Sequence, residues 1–127
     1  KTYLAIVYGK VDKSIKVMKD NLIFYENNKK ISQKAVSNLK IIKSNESYSF
    51  LELNPITGRK HQLRKQLLKI GCPIIGDDKY FLNDQKRIKI KNLMLHAYKI
   101  KFMINNVQYN FKAKYNVLFE DFLKKNI

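Results

Sequence analysis

Between residues 60 and 70 the apolar side chains change spacing, and that change limits the folds open to this chain. At 100° per residue Leu63, Leu67 and Ile70 fall on one side of a helix, while His61, Lys65 and Lys69 share another. Thr57 is the expected N-cap, Gly71 the expected stop, and Pro73 reinforces it. On either side of this segment the apolar runs are short and strand-like. Residues 3–8 (YLAIVY), closed by Gly9, read as a buried strand. Alternating pieces at 15–18 and 22–25 suggest a polar hairpin, with its turn over residues 27–30. Residues 34–42 and 48–53 read as paired strands joined by a turn-prone Lys-Ser-Asn-Glu stretch, and Pro55 ends the second. Residues 74–80 read as a loop and 83–92 as a polar, basic connection. Residues 93–103 and 107–114 alternate around Asn105 and Asn106, the pair best suited to a tight hairpin turn. A closing helix is expected over 117–124. The result is one α+β unit with a mainly antiparallel mixed sheet and few helices.

A chain of 127 residues can bury a modest core, and an apolar share of 45% fits a globular protein. Its formal charge of +16 suits a polyanionic partner, because clustered cations release counterions from phosphates. Yet the basic residues are 23 Lys and only 3 Arg (Arg59, Arg64, Arg87), and a Lys-, Asn- and Ile-rich composition is also what AT-rich coding produces without any functional demand. The single Cys72 excludes an internal disulfide, and beside His61 and His96 it makes no spaced zinc-ligand set, so no metal is expected and a reducing cytoplasm is. No apolar run approaches the roughly 20 residues that cross a bilayer, and no charged-then-apolar leader is present, so no membrane partner is expected. The abrupt start at Lys1, inside what reads as a strand, suggests a domain excerpt.

Arg64 is the first candidate for chemistry. It projects between Leu67 and Leu68, close to the apolar arc, where a guanidinium needs a carboxylate or phosphate partner or must snorkel to water. Thr57, Gly58 and Arg59 precede a helix N-terminus, whose free N–H groups suit an anion; Arg59 alternatively caps neighbouring helix and strand ends. His61 and Gln62 are candidates for hydrogen bonds that fix this turn. Tyr3 reads as a strand aromatic with its hydroxyl at an edge. Gly76 allows an unusual backbone angle before Asp77, itself a candidate for bonding loop amides. Ile74 and Ile75 fill the core or wall a slot, His96 reads as an interior residue, and Cys72 as a small buried hydrophobe.

Residues 55–80, PITGRKHQLRKQLLKIGCPIIGDDKY, carry more than spacing. The stretch resembles the TGR-HQ-R and G-PI-GD-Y signature of RluA-type RNA pseudouridine synthases, and the opening KTYLAIVYG and the later LMLHAYKIKF extend the likeness in order over nearly the whole chain. The resemblance implies an enzyme that isomerises uridine to pseudouridine within ribosomal RNA, or within transfer RNA, with no cofactor. It implies catalytic roles for Arg64, which pairs with the family's catalytic Asp, and for Tyr3, which packs against the target base. It further implies substrate contacts from Thr57, Arg59, Lys60, His61, Gln62, Lys65, Ile74 and Ile75, with Lys69 also gripping backbone. The family's Asp lies in an HRLD-type segment upstream of the strand at which this chain begins. Residues 1–127 are therefore expected to be the carboxy-terminal portion of a catalytic domain, incomplete and inactive alone, with the amino-terminal half of that domain as a partner besides RNA. Lys65 and Gln66 stand where the family often has valine and histidine, and Phe81 where a glycine is common, and these read as peripheral departures. The readings set against this one are a non-catalytic basic RNA-binding module and a ribosome-associated protein.

Overall fold

The computed structural model describes residues 1–84, 87–113 and 117–127. Lys114, and Gln85 and Lys86 of the basic connection, lie outside the described residues. The element order is β1 (Thr2–Tyr8), β2 (Val17–Glu26), β3 (Lys29–Ser44), β4 (Tyr48–Pro55), α1 (Gln62–Lys69), β5 (Leu95–Ile104), β6 (Val107–Lys112) and α2 (Val117–Asn126). The strands form one six-stranded sheet in the order β2-β3-β4-β1-β5-β6, and each neighbouring pair is antiparallel. Both outer hairpins turn on an Asn-Asn pair with φ near 50° and 63°, at Asn27-Asn28 and Asn105-Asn106. Two consecutive positive φ values are what a twisted two-residue hairpin demands, and Asn tolerates them better than other residues with a Cβ. Among the described residues no helix is long and apolar enough to cross a membrane.

The unbroken apolar run of β1 follows from its central position. Leu4, Ile6 and Tyr8 share a face with Tyr48 and Phe50, and this face meets Phe119 and Phe122 of α2 through ring contacts of 6.4 and 5.0 Å. On the opposite face Ala5 and Val7 run beside Leu51 and Leu39, under α1, whose Gln66 is bonded to Ser37 of β3 and to the Met18 carbonyl of β2. With a helix on each side, residues 4–8 are all buried and the strand shows no polar alternation. The 16-residue β3 serves two partners: its first part pairs with β2, and its later part, through a register shift between Ile41 and Lys43, pairs with β4.

Past Ala5 the β5 side of β1 is taken over by the loop that follows α1. The Tyr8 N–H donates to the Pro73 carbonyl at 2.9 Å, and the Ile75 N–H to the Ile6 carbonyl at 3.0 Å. This docking seals Ile74 and Ile75 into the core at 1% and 0% exposure. The loop then reverses at Gly76, at φ +85°, where an added Cβ would stand 2.0 Å from the Asn92 carbonyl oxygen. That carbonyl is main chain and cannot swing aside, so both the backbone angle and the close approach require glycine. Gly76→Ala is expected to destabilise the chain by at least about 1–3 kcal/mol, read as a lower urea midpoint; a midpoint equal to wild type would show that the loop and the 92–93 backbone separate at little cost.

Candidate functional site

Helix α1 is short and begins without a side-chain cap: His61 occupies the N-cap position in a left-handed conformation, φ 54°. The expected N-cap, Thr57, lies further back and does something else. Its hydroxyl accepts the Val36 N–H at 2.9 Å and donates to Gln62 Oε1 at 2.6 Å. Gln62 Oε1 also accepts the Arg59 N–H, and Gln62 Nε2 donates to the Val36 carbonyl and to Ser37 Oγ. Ser37 passes the bond to Gln66 Oε1 at 2.6 Å, and Gln66 Nε2 reaches the Met18 carbonyl and Asp20 Oδ2, each at 3.1 Å. Eight residues make a marginal helix in water. This polar ladder, together with buried Leu63 and Leu67, fixes α1 on the sheet. Gln66, which reads from sequence as a peripheral departure, is fully buried at the ladder's centre. The signal that could have found it is the four-residue spacing of Gln62 and Gln66 alongside Leu63 and Leu67.

Arg64 projects from the outer side of α1 and finds its carboxylate within the chain. Nε donates to Asp77 Oδ2 at 2.8 Å and Nη2 to Asp77 Oδ1 at 2.7 Å, a bidentate pair with side-chain exposures of 17% for Arg64 and 0% for Asp77. The turn at Gly76 delivers Asp77 to the Nε–Nη2 edge of the guanidinium, so a carboxylate from within the chain already meets Arg64. Asp77 Oδ1 also accepts the Lys79 and Tyr80 N–H groups. Burial pushes the Asp77 carboxyl upward, but the Arg64 bonds and these two amides outweigh it, and its pKa sits below the ordinary carboxylate value. The same bonds raise the pKa of Arg64. Tyr80 lies against the guanidinium, with Arg64 Cζ 4.9 Å from the ring centroid, and its hydroxyl is 2.9 Å from His61 Nδ1. The His61 pKa is lowered, first by burial and then by the positive charges of Arg64, Lys79, Lys60 and Lys65.

Next to this cluster is a cleft of about 460 Å³. Tyr3 of β1, Leu95 of β5, and Leu63 and Arg64 of α1 line it, together with Pro55 and the turn that follows. The structure therefore brings Tyr3 and Arg64 to one cavity and adds Thr57, Arg59, His61 and Gln62 to its walls. Arg59 is partly committed, since its Nε donates to the Lys34 carbonyl at 2.9 Å. Lys60 is exposed, Lys65 stands 3.9 Å over the Phe24 ring, and Lys69 pairs with Asp20 at 3.3 Å; none of the three lines the cleft. Ile74 and Ile75 do not line it either. They are corrected from slot wall to core, because the loop docks on β1 by backbone hydrogen bonds and turns both side chains inward. His96 is half-buried on β5, opposite Leu4 and 6.1 Å from the Phe119 ring.

The arrangement offers a cleft of mixed apolar and polar lining with the fixed cation of Arg64 in its wall. A sequence model of the family described as RNA pseudouridylate synthase matches residues 1–69. A ribosomal large subunit pseudouridine synthase C of Rickettsia felis is 36% identical over 95% of this chain and 43% of its own length. A tRNA pseudouridine synthase C of Haemophilus ducreyi is 36% identical over 80% of this chain and 51% of its own. The solved structure of human RNA pseudouridylate synthase domain containing 4 aligns with a TM-score of 0.76 at 25% identity, covering 98% of this chain and 60% of that one. The chain thus spans about half the length of the two bacterial relatives, or less.

Because Asp77 is held ionised more strongly folded than unfolded, its contribution to stability is complete above the unfolded carboxylate pKa of about 3.9 and is lost as pH falls through its lower folded value. Asp77→Asn is expected to cost about 3 kcal/mol at pH 7 by leaving Arg64 without its anion. The gap to wild type should close as pH is taken below about 4; urea titrations at several pH values read both, and a gap independent of pH would mean that the carboxylate charge does not stabilise the fold.

Proposed function

The chain belongs to the RNA pseudouridylate synthase family, and on that premise we propose that it supplies the Arg64 and Tyr3 side of a uridine-isomerising site, as the carboxy-terminal portion of a catalytic domain acting on ribosomal RNA in the cytoplasm. The observation that carries this reading is the convergence of Tyr3, from the first strand, and Arg64, from α1, on one cleft. In the reaction the bond from ribose C1′ to uracil N1 breaks, the base turns, and C5 joins C1′. The proton on C5 leaves and N1 gains one, so no redox change or cofactor is involved. The nucleophilic carboxylate comes from a part of the protein outside these residues and takes the Nη1 edge of Arg64, whose other edge Asp77 already holds. Asp77 thereby fixes the direction in which Arg64 presents its remaining N–H groups, and the fixed charge keeps the nucleophile ionised. Tyr3 and Leu95 face the flipped uracil, and Tyr3 is placed to take part in removing the C5 proton. Thr57, Arg59, His61 and Gln62 rim the entrance, with Lys60, Lys65 and Lys69 outside it for the phosphates.

In the full-length protein, tritium release from C5-labelled uracil in ribosomal RNA is the readout. Arg64→Lys, which keeps a charge but cannot bridge two carboxylates, is expected to slow release by about 10²–10³-fold with RNA binding retained. Tyr3→Phe should lower kcat by about 10²-fold with little effect on KM. Full-length protein that binds RNA but releases no tritium would replace this reading with a non-catalytic RNA-binding module.

A further inference from the structure

Asp77 restrains Arg64 within the plane of its guanidinium. A bidentate pair leaves the group free to tilt about the axis joining its two bonds, and a tilt would shift the remaining N–H groups of a side chain that lines the cleft. The guanidinium also lies over the Tyr80 ring, with Arg64 Cζ 4.9 Å from its centroid, a contact the carboxylate does not provide. The position of Tyr80 is tied to the same carboxylate: Asp77 Oδ1, which accepts Arg64 Nη2 at 2.7 Å, also accepts the Tyr80 N–H at 2.9 Å. The far end of the ring is pinned as well, since the Tyr80 hydroxyl is 2.9 Å from His61 Nδ1 and the two rings meet edge-on at 5.6 Å. His61 is itself held in a left-handed backbone conformation at the N-cap of the helix that carries Arg64. The cluster is closed: helix, loop carboxylate, loop aromatic, and back to the helix.

We propose that Tyr80 is a positioning residue for the uridine isomerisation, its ring setting the tilt of Arg64 while His61 holds the ring. The assignment rests on the proposed function of the cleft. Tyr80 does not line that cleft and touches no reacting atom; it acts through Arg64. Other charges around the ring and guanidinium do not substitute for it. Lys79 Nζ lies 5.5 Å from the ring centroid and competes for the ring, while Asp78 is 3.9 Å from Arg64 Nη2 and exposed to water. Lys60 and Lys65 bear on His61 only as positive charges at a distance. A ring in this place matters to rate, since a displacement of about 1 Å of a group bonded to the nucleophile costs up to 10²-fold.

The test measures kcat and KM for tritium release from labelled ribosomal RNA by full-length protein carrying Tyr80→Leu or Tyr80→Phe. Tyr80→Leu is expected to lower kcat by about 10- to 10²-fold with KM changed less than about twofold. Tyr80→Phe, which keeps the ring but loses the hydroxyl that pins its far end, should lower kcat by a smaller factor, about three- to fivefold. Equal losses in the Leu and Phe variants, a wild-type kcat in the Leu variant, or a loss confined to KM would overturn the assignment. If the Leu variant does not fold, the Phe variant decides it: a wild-type kcat there removes the pinned ring from the mechanism. Wild-type protein that releases no tritium would instead overturn the reading of the cleft itself, which separates the two failures.

Discussion

A carboxylate with no exposed surface holds the site together. Removing Asp77 from water is costly, and one guanidinium offsets that cost only with good geometry and with the remaining lone pairs satisfied. Here both conditions hold: Arg64 contributes two bonds and the loop amides of residues 79 and 80 contribute two more. The requirement reaches outward through the structure. The loop can deliver Asp77 only because Gly76 accepts a positive φ against the Asn92 carbonyl, and it starts from the right place only because residues 73–75 are hydrogen-bonded along β1. A charge pair, a glycine and a strand edge form one mechanical unit.

The other half of the frame is neutral and polar. Gln62 and Gln66 present amides at a four-residue spacing toward Ser37, so a short helix with no side-chain cap is held at a defined height over the sheet. Hydrogen bonds are directional where apolar contacts are not, and burial removes competing water. Leu63 and Leu67 alone would permit a slide along the sheet; the amide ladder forbids it, and with it any drift of Arg64 relative to Tyr3 on β1. The ladder continues into the edge hairpin through Met18 and Asp20, so the β2–β3 unit and the helix carrying Arg64 are mechanically joined.

Much of this was legible in the chain because its cause is local. The Asn-Asn turns, the apolar run of β1, the helix around Leu63 and Leu67 and the unusual angle at Gly76 each follow from neighbouring residues. The convergence of Tyr3 and Arg64 was legible only through family resemblance, since no periodicity relates a first strand to a helix so far along the chain. Readings that failed depended on partners distant in sequence. Thr57 reads as an N-cap and instead bridges β3 to Gln62; Gln66 reads as a minor departure from the family pattern and is fully buried; and of the two roles open to Ile74 and Ile75, the core rather than the slot wall is the one they fill.

The amino-acid sequence by itself determined the α+β class, the hairpins, the position of the helix and the family, because turn chemistry, hydrophobic period and motif order act over a few residues at a time. Only the tertiary structure decided which carboxylate meets Arg64, which polar residues are buried, and which ring lies against the guanidinium. Those outcomes depend on where a loop returns after a glycine turn, and the energy of burying a charge or an amide is defined only once the atoms that surround it are in place.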